Sequence, residues 1–315
     1  MSEPIHLGID VGGTASRWTA CHNDGAIAAR GQTGGATGHL FNPAEREKLR
    51  TTLSGIAAEL DAANLAVATV TIGLTGFGGS VAADLRLVLR ETLGITDDTI
   101  IAIDDMTLAY AAIFEPGQGY LISAGTGSIG LHIGDGGAYI RVGGRGILID
   151  DAGSGSWIAL RALDHVFRRL DHTGSFTDCR ALSDALFGLI GGTDWAAVRQ
   201  YVYAGDRGRI GTLALAVGKA AHAGDSSALT ILHDAGIELA RLAEALAGRA
   251  GARPIGFIGG VLALHPVLTE AIATRLTGHD ITFTKAEASL AAARLRLPAG
   301  AHWRRVLETN ASIAR

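Results

Sequence analysis

A glycine-rich turn near the start of the chain is flanked on both sides by strand-like sequence, and it constrains the fold more than any other segment. The apolar strand 5–9 leads to Asp10, and Gly12, Gly13 and Thr14 follow at once. Glycines permit positive φ angles, and successive backbone N–H groups in such a turn form a concave anion site. The turn is therefore predicted to bind phosphate, with Asp10 placed to hold a hydrated Mg²⁺ ion against it.

The residues after this turn form a hairpin and do not begin a helix. A second strand is predicted from Arg17 to His22, the turn Asn23–Gly25 follows, and a third strand starts at Ala26. Asp-Gly is a strong hairpin signal. Dinucleotide-binding loops and Walker A loops both open a helix, so the pattern excludes them. An ordinary turn in which Asp10 bonds its own backbone is the alternative.

A second copy of this arrangement lies in the middle of the chain. Residues 120–124 form an apolar strand, Gly125, Thr126 and Gly127 form the turn, and a strand and a hairpin turn at 135–137 follow. Internal repeats indicate a fold more strongly than single motifs do. The chain is therefore predicted to be an α/β protein with a duplicated domain that holds one nucleotide between its two copies.

Composition limits what such a chain does. At 315 residues, with 48% apolar and 18% charged residues, it has enough material for two buried cores. A net charge of −4 gives no reason to expect nucleic acid as a partner. No apolar run is long enough for a membrane span and the first residues lack a signal-peptide pattern, so a cytoplasmic protein is predicted. Cys21 and Cys179 share no metal or redox spacing and are predicted to be core residues.

Two adjacent carboxylates follow a predicted strand in the first half of the chain. The strand Thr99–Ile103 ends at Asp104 and Asp105, and a helix is predicted from Met106 to Phe114. Carboxylates at such a junction lie at the usual ligand-binding edge of an open α/β sheet. One of them is placed to accept a proton from a hydroxyl that attacks a phosphoryl group, while N-capping of the helix is the alternative role. These residues alone leave open which of the two caps and which does chemistry.

Several further glycine-rich loops follow other predicted strands. They are residues 34–39; Thr75–Gly79 after the strand Val67–Leu74; Gly143–Gly146, followed by a short strand; Asp150–Ser156, followed by a helix through Leu170; and Gly259–Val261 after the strand Ile255–Ile258. His39 is either a substrate contact or a surface histidine. The pair Gly259-Gly260 lets an adenine ring or ribose lie against the backbone, and it is also common in ordinary strand-to-helix loops.

The remaining sequence is mainly helical. A helix starts at Asn42-Pro43, a favourable cap followed by proline in the first turn. Its buried face is predicted to carry four residues: Leu49, Leu53, Ile56 and Leu60. Residues 178–251 are alanine-rich and helical, with helices expected over Arg180–Leu189, Asp194–Tyr203, Arg207–Ala223 and Ser226–Arg249. A last strand spans Asp280–Thr284, and a helix spans Ala286–Leu297. The break at Glu115–Gly117 is the predicted domain boundary.

In this order, the motifs resemble those of the sugar-kinase branch of the actin/hexokinase/Hsp70 superfamily. Within that branch the chain resembles the BadF/BadG/BcrA/BcrD ATPase family, which contains N-acetylglucosamine and glucosamine kinases, and the resemblance spans nearly the whole chain. The matching segments are Leu7–Arg17 and Ser123–Ser128 for the two phosphate motifs, Ile103–Asp105 for the segment with the catalytic aspartate, Gly143–Gly146 and Asp151–Ser154 for the sugar-contacting region, and Gly256–Leu262 for the adenosine motif.

The resemblance implies roles for individual residues. Asp105 corresponds to the general base, Asp151 to a sugar-contacting carboxylate, and Asp10 to the Mg²⁺-associated carboxylate. The implied contacts to ATP are Gly12, Gly13, Thr14, Ser16, Arg17, Gly125, Thr126, Gly127, Gly259 and Gly260. The implied contacts to the sugar are Thr37, Gly38, His39, Gly76, Asp105, Gly144, Arg145 and Asp151.

The resemblance also implies an architecture and an activity. Two actin-like, ribonuclease H-like domains with a central interdomain cleft are expected. Residues 1–115 form the sugar side, residues 116–300 form the nucleotide side, and residues 301–315 form a tail that packs back. The expected activity is transfer of the γ-phosphoryl group of ATP to a hydroxyl of N-acetylglucosamine or glucosamine with the aid of Mg²⁺. A cytoplasmic homodimer that acts on a small-molecule sugar, without nucleic acid or membrane, is expected.

The sequence departs from the family pattern at three positions near the expected sugar contacts. N-acetylglucosamine kinases usually carry Asn in place of Gly38, often an aromatic residue in place of Arg145, and Glu in place of Ala152. Arg145 faces either a charged group on a different sugar or an acidic residue across its own loop. The alternatives are therefore a kinase of another sugar or sugar acid, a BadF-type ATPase, and a nucleotide-binding pseudokinase or regulator. The ATPases that activate radical dehydratases hold an iron–sulfur cluster through cysteines, a role for which Cys21 and Cys179 are poorly placed.

Overall fold

The computed structural model describes residues 3–13 and 15–313. These residues form two units, each with its own hydrophobic core. The first unit takes the described residues of Met1–Gln118, Ile133–Tyr139 and Ala286–Arg315, and the second takes Gly119–His132 and Ile140–Lys285. The chain thus returns to the first unit after Lys285, whereas the predicted second domain extends to residue 300. None of the helices in the described part of the chain is both long and apolar enough to cross a membrane.

A five-stranded sheet forms the centre of the first unit. Its strands are β1 (Glu3–Val11), β2 (Ala15–Cys21), β3 (Ile27–Gly34), β4 (Leu65–Leu74) and β5 (Ile100–Asp104). They lie in the order β3-β2-β1-β4-β5, with β2 antiparallel to both β1 and β3, and with β1, β4 and β5 parallel to one another. The hairpin predicted on either side of Asp24 is confirmed. Parallel strands need long crossovers, which here contain helices.

The sheet of the second unit repeats this arrangement. Its strands are β6 (Tyr120–Ala124), β7 (Ser128–Ile133), β8 (Tyr139–Gly143), β9 (Ile255–Ile258) and β10 (Ile281–Phe283). Read from β8, the order is β8-β7-β6-β9-β10, which matches the first sheet position by position. β6 is antiparallel to β7 and parallel to β9, and β9 is parallel to β10. The duplication predicted from the two glycine turns, and with it the α/β fold class, is confirmed.

Helices cover both sheets. They are α1 (Pro43–Ala62), α2 (Ala82–Leu93), α3 (Asp105–Ala111), α4 (Gly155–Thr173), α5 (Arg180–Ile190), α6 (Trp195–Tyr203), α7 (Arg207–Thr212), α8 (Ala214–His222), α9 (Ser226–Ala250), α10 (Pro266–Arg275), α11 (Ala288–Arg294) and α12 (Ala301–Ile313). The Asn42 side chain caps α1 by accepting the Ala44 N–H at 2.9 Å, as the sequence predicts. The four predicted core residues of α1 are buried.

The structure corrects two predicted elements. The segment after Gly146 was expected to form a short strand, but it is a turn, because the N–H groups of Ile149 and Asp150 both donate to the Gly146 carbonyl. Leu148 and Ile149 lie at its tip and are 96% and 78% exposed. The single helix expected over Arg207–Ala223 divides into α7 and α8, which meet at Leu213.

The end of the chain packs on the first sheet. The Ser289 hydroxyl of α11 bonds the Thr19 hydroxyl of β2 at 2.9 Å. A Cβ atom at Gly8 of β1 would lie well inside 3.0 Å of the Ser289 carbonyl oxygen, so α11 rests directly on the strand backbone. In α12, Trp303 is buried and meets the Tyr110 ring edge-on at 5.8 Å between centroids. The last segment therefore packs as part of the first unit.

Candidate functional site

The parallel strands of the first unit bring three loops to one edge of the sheet. Val11 pairs with Leu74 and Leu74 pairs with Asp104, so the residues that follow these strand ends are neighbours. This is the edge at which open α/β sheets bind ligands. The residues gathered there are called the first cluster: Asp10, Gly12, Gly13, Gly38, Thr75, Gly76 and Asp105.

The structure separates the roles of the two adjacent aspartates. Asp104 is the N-cap of α3, since one of its oxygens accepts the Thr107 N–H at 2.9 Å and the other accepts the Thr107 hydroxyl. Asp105 follows in the first turn, and its Oδ2 accepts the Thr75 hydroxyl at 2.6 Å. Burial raises the pKa of Asp105, and the hydrogen bond from Thr75 opposes that rise. Capping thus occupies both oxygens of Asp104, whereas Asp105 bonds Thr75 and is not the capping residue of α3.

Asp10 lies near the end of β1 between Arg17 of β2 and Gly73 of β4. Burial and then the charge of Asp105 raise the pKa of Asp10 to about 6, against the lowering effect of Arg17. A divalent cation would relieve the repulsion between the two carboxylates. Mg²⁺ takes one or two carboxylates and completes its shell with waters and substrate oxygens. Within the described residues no group of three or more His, Cys, Asp and Glu side chains is arranged to hold a metal. Asp10, with Asp105 close enough to raise its pKa, matches the one or two protein carboxylates that Mg²⁺ takes.

The raised pKa of Asp10 predicts how stability depends on pH. The folded state binds this proton more tightly than the unfolded state, in which the ordinary value is 3.8. The stabilisation is fully present below that value and is lost as the pH rises through about 6. Asp10→Asn cannot ionise, so without metal or nucleotide we expect the variant to melt above wild type at pH 7.5. We expect this advantage to shrink towards pH 4, and melting curves in EDTA measure it.

The matched control is Asp24→Asn. Asp24 lies in the hairpin turn between β2 and β3, where its Oδ1 accepts the Ala26 N–H at 2.9 Å, a bond that an Asn side chain can also accept. This variant measures what the change from Asp to Asn does to the melting temperature at an exposed position. If the Asp10→Asn curve runs parallel to wild type across the pH range, burial does not perturb the titration of Asp10.

The first glycine turn is held by backbone bonds on both sides. The Gly12 N–H donates to the Ala15 carbonyl and the Ala36 N–H donates to the Gly12 carbonyl, each at 3.1 Å. Arg17 is exposed, whereas Ser16 pairs with Val11 and is fully buried. A ligand at this turn would therefore reach the backbone of Ser16 and not its hydroxyl. The remaining predicted contact of this turn, Thr14, lies outside the described residues.

The loop after β3 carries three of the predicted sugar contacts, Thr37, Gly38 and His39. The Thr37 hydroxyl donates to Glu45 at 2.8 Å, and His39 is exposed with its ring 5.7 Å from that of Phe41. Gly38 is buried against the next loop, and a Cβ atom there would lie 2.5 Å from the Gly76 carbonyl oxygen. Gly38 thus permits a close approach of two backbones. An Asn side chain, usual in the resembling kinases, would require these loops to separate.

The second unit gathers two glycine loops at the matching edge of its sheet. Ser123 of β6 pairs with Ile258 of β9, so the residues after both strands are neighbours. Gly259 has a φ of +115°, and a Cβ atom on it would lie well inside 3.0 Å of the Ala124 carbonyl oxygen. The predicted phosphate turn and the predicted adenosine loop are therefore adjacent. The residues of this second cluster are Gly125, Thr126, Gly127, Asp151, Ser156, Arg207, Gly259 and Gly260.

The second glycine turn is anchored to the start of α4. The Gly125 carbonyl accepts the Gly155 N–H at 2.9 Å, and the Thr126 carbonyl accepts the Ser156 N–H at 3.2 Å and its hydroxyl at 2.8 Å. In a trans peptide the N–H points opposite to the C=O. The N–H groups of Thr126 and Gly127 are therefore directed away from α4. Fixed N–H groups of this kind suit an anion.

Asp151 and Arg145, predicted sugar contacts, are placed differently. Asp151 has a φ of +65° and is 2% exposed, and its Oδ2 has no hydrogen-bond partner in the described structure. This carboxylate lies under Gly127 and 4.0 Å from a guanidinium nitrogen of Arg207. The guanidinium of Arg145 lies 3.3 Å from the Asp150 carboxylate. Arg145 thus faces an acidic residue of its own loop, the second of the two interpretations given for it from the sequence. The adjacent Gly144 has a φ of +66° and accepts a bond from Arg141.

Three residues of the two clusters were not singled out from the sequence. Thr75 follows β4, and Asp105 follows β5, which pairs with β4. A correct prediction of this strand order would have placed Thr75 beside Asp105. Ser156 links the second turn to Arg207, because its hydroxyl also lies 3.1 Å from the Arg207 carbonyl. Nothing in the sequence around Arg207 marks it, since its position depends on how α7 packs against α4.

The two cysteines are core residues, as predicted. Cys21 is fully buried in the first unit and Cys179 is 1% exposed in the second. Burial raises the pKa of both thiols. Metal ligation requires the thiolate, which burial disfavours, so neither residue has the environment of an iron–sulfur ligand.

Comparison with known proteins agrees with this geometry. Residues 7–287 match the model of the BadF/BadG/BcrA/BcrD ATPase family. An N-acetyl-D-glucosamine kinase of Dictyostelium discoideum is 29% identical over 194 residues, which is 56% of this chain and 58% of the relative. The chain therefore spans under two thirds of the length of the curated relative that it matches.

Solved structures show the same fold. A candidate N-acetylglucosamine kinase from Chromobacterium violaceum superposes with a TM-score of 0.70 at 23% identity, over 94% of this chain and 99% of that one. A second candidate N-acetylglucosamine kinase, from Porphyromonas gingivalis, gives 0.69 at 18% identity over 91% and 98%. A ROK family glucokinase from Streptomyces griseus, solved with glucose and AMPPNP, gives 0.56 at 17% identity over 92% and 97%. The fold is that of the actin-like sugar kinases.

Proposed function

Because the chain belongs to the BadF/BadG/BcrA/BcrD ATPase family, we propose that it is an ATP-dependent kinase of an amino sugar, N-acetylglucosamine or glucosamine. The observation that carries this proposal is the position of the Asp105 carboxylate. Its carboxylate is spared from helix capping by Asp104 and lies in one cluster with the first glycine turn and Asp10. A proton acceptor beside a phosphate-binding turn is what transfer to a hydroxyl requires.

The chain's own residues would divide the work as follows. Asp105 accepts the proton of the attacking sugar hydroxyl, which makes the oxygen a better nucleophile. Asp10 holds the Mg²⁺ ion, for which its buried position beside a second carboxylate is suited. The N–H groups of the two glycine turns bind phosphate oxygens, and Gly259 and Gly260 give room for the nucleoside. Bound MgATP supplies the phosphoryl group and neutralises its charge.

Two observations support an amino sugar over a sugar acid. Arg145, the cation that would bind an acidic substrate group, is already paired with Asp150. The relative from Dictyostelium discoideum is named an N-acetyl-D-glucosamine kinase.

Dependence on Mg²⁺, a cytoplasmic location and a homodimer belong to the same proposal. The cytoplasmic location is supported because the proposed phosphoryl donor, ATP, is found there. The homodimer is supported by the resemblance to the kinase family.

A coupled assay of ADP release across a panel of sugars tests the function. N-acetylglucosamine or glucosamine is expected to stimulate ADP release, with the phosphate recovered on the sugar and little free phosphate. Glucose, N-acetylmannosamine and glucuronate are expected to be poorer acceptors. Release of free phosphate without any sugar would indicate an ATPase, and nucleotide binding without turnover would indicate a pseudokinase. Either result would overturn the proposal.

A further inference from the structure

The Thr75 hydroxyl is the side-chain donor to the proposed general base. It donates to Asp105 Oδ2 at 2.6 Å, a distance typical of a charge-assisted bond between a hydroxyl and a carboxylate. The bond holds one carboxylate oxygen in place and so fixes the rotation of the carboxylate about its last torsion. A general base has to lie within hydrogen-bond reach of the proton it takes, so this rotation matters for transfer.

The backbone of Thr75 is fixed from two other directions. Its N–H donates to the Val11 carbonyl at 3.0 Å, at the start of the first glycine turn. Its carbonyl accepts the Gly38 N–H at 2.8 Å, from the loop that carries the predicted sugar contacts. The absence of a side chain at Gly38 lets this loop lie directly against Gly76. Thr75 thus touches the phosphate turn, the sugar loop and the base at once.

From these three contacts we propose that Thr75 is a positioning residue, which orients the Asp105 carboxylate relative to the first glycine turn and the loop at Gly38. This inference rests on the proposed function, because it assigns Thr75 a role through Asp105. The nearby charged groups are Asp104, which caps α3, and Asp10 with its neighbour Arg17. Neither Asp104 nor Asp10 can donate to Asp105 when ionised, and the other groups that bond its carboxyl are the backbone N–H groups of Asp105 and Met106, so Thr75 supplies the side-chain donor.

The chain supplies a closely matched control for this role. The Thr107 hydroxyl also donates to a carboxylate at the β5–α3 junction, but that carboxylate is the capping one of Asp104. Thr107→Val and Thr75→Val each remove one hydroxyl donor and keep the shape of the side chain. A second control is Thr71→Val on β4, because the Thr71 hydroxyl is buried with no hydrogen-bond partner in the described structure.

The test compares kcat and KM for the sugar and for ATP in Thr75→Val, Thr75→Ser and the two controls. Thr75→Val is expected to lower kcat by about 10-fold to 100-fold with both KM values within about threefold of wild type. Thr75→Ser keeps the hydroxyl and is expected to restore kcat to within about threefold. Thr107→Val is expected to lower the melting temperature while leaving kcat unchanged, and Thr71→Val is expected to leave kcat unchanged without lowering the melting temperature, because it removes a buried hydroxyl that has no partner in the described structure.

The outcomes separate this inference from the function. An active wild type in which Thr75→Val keeps its kcat, or in which Thr75→Ser loses as much as Thr75→Val, would overturn the inference alone. A wild type that phosphorylates no sugar would overturn the function and the inference together. If Thr75→Val does not fold, Thr75→Ala takes its place, and the comparison with Thr75→Ser decides in the same way.

Discussion

Asp105→Asn is expected to abolish sugar phosphorylation while leaving ATP binding intact. Removal of a general base costs about 10²-fold to 10⁴-fold in rate, because the hydroxyl must attack with its proton still attached. An Asn side chain has the same shape, and its oxygen can still accept the Thr75 hydroxyl. We therefore expect kcat to fall by that factor and the dissociation constant of ATP to stay within about threefold. Rate assays and calorimetric ATP titration measure the two quantities.

The neighbouring aspartate is the control for this experiment. Asp104→Asn keeps a residue that caps helices as well as Asp does, and its side-chain oxygen can still accept the Thr107 N–H. The variant is expected to fold and to keep its activity within about fivefold of wild type. If Asp105→Asn retains activity within about tenfold of wild type, or if Asp104→Asn is the inactive one, Asp105 is not the base.

The repeated parts of the fold were predictable because short, contiguous segments of the sequence specify them. Each glycine turn follows an apolar strand and precedes a hairpin marked by Asp-Gly, and both hairpins are present in the structure. The cap at Asn42-Pro43 and the spacing of its apolar residues likewise determine α1 without help from the rest of the chain. Turn residues and periodically spaced apolar residues specify an element through their neighbours along the chain. The sequence alone is therefore sufficient to find such elements.

The candidate site was less predictable, because its details depend on register. Asp104 and Asp105 are equivalent in sequence, and only the backbone angles at the start of α3 make the first of them the cap. Ser16 was expected to contact the nucleotide, but β2 begins at Ala15, and the strand alternation then turns Ser16 inward. A shift of one residue in a strand exchanges its two faces. The bond from Thr75 to Asp105 depends in turn on the parallel pairing of β4 with β5.

The packing of the C-terminal segment had the weakest sequence signal. Contact between α11 and β1 joins residues about 280 positions apart, and only small side chains at both sites hint at it. Gly8 lies in the middle of a strand, where glycine is normally unfavourable. The structure supplies the reason, since the backbone of α11 occupies the space that a side chain would need. The glycine is thus required by a contact that no local pattern reveals.

Gly8→Ala is accordingly expected to destabilise the protein more than any other substitution considered. The added Cβ would lie well inside 3.0 Å of the Ser289 carbonyl oxygen and of the Ala293 nitrogen, and both are backbone atoms of α11 that no side-chain rotation can move. Overpacking of a core usually costs about 1–3 kcal/mol, and a clash with backbone lies at or above the upper end of this range. We expect a loss of about 3 kcal/mol, which for a chain of 315 residues is seen as a melting temperature roughly 5 °C lower.

Gly55→Ala separates this clash from the general effect of replacing glycine. Gly55 is an exposed residue of α1, and a Cβ atom there would meet no heavy atom within 4 Å. Alanine is favoured over glycine inside a helix by roughly 0.5–1 kcal/mol, so this variant is expected to melt slightly above wild type. The same chemical change thus carries opposite signs at the two positions. If Gly8→Ala were as stable as wild type, α11 would not rest on β1 as described, because a methyl group cannot be added at that contact without moving the helix.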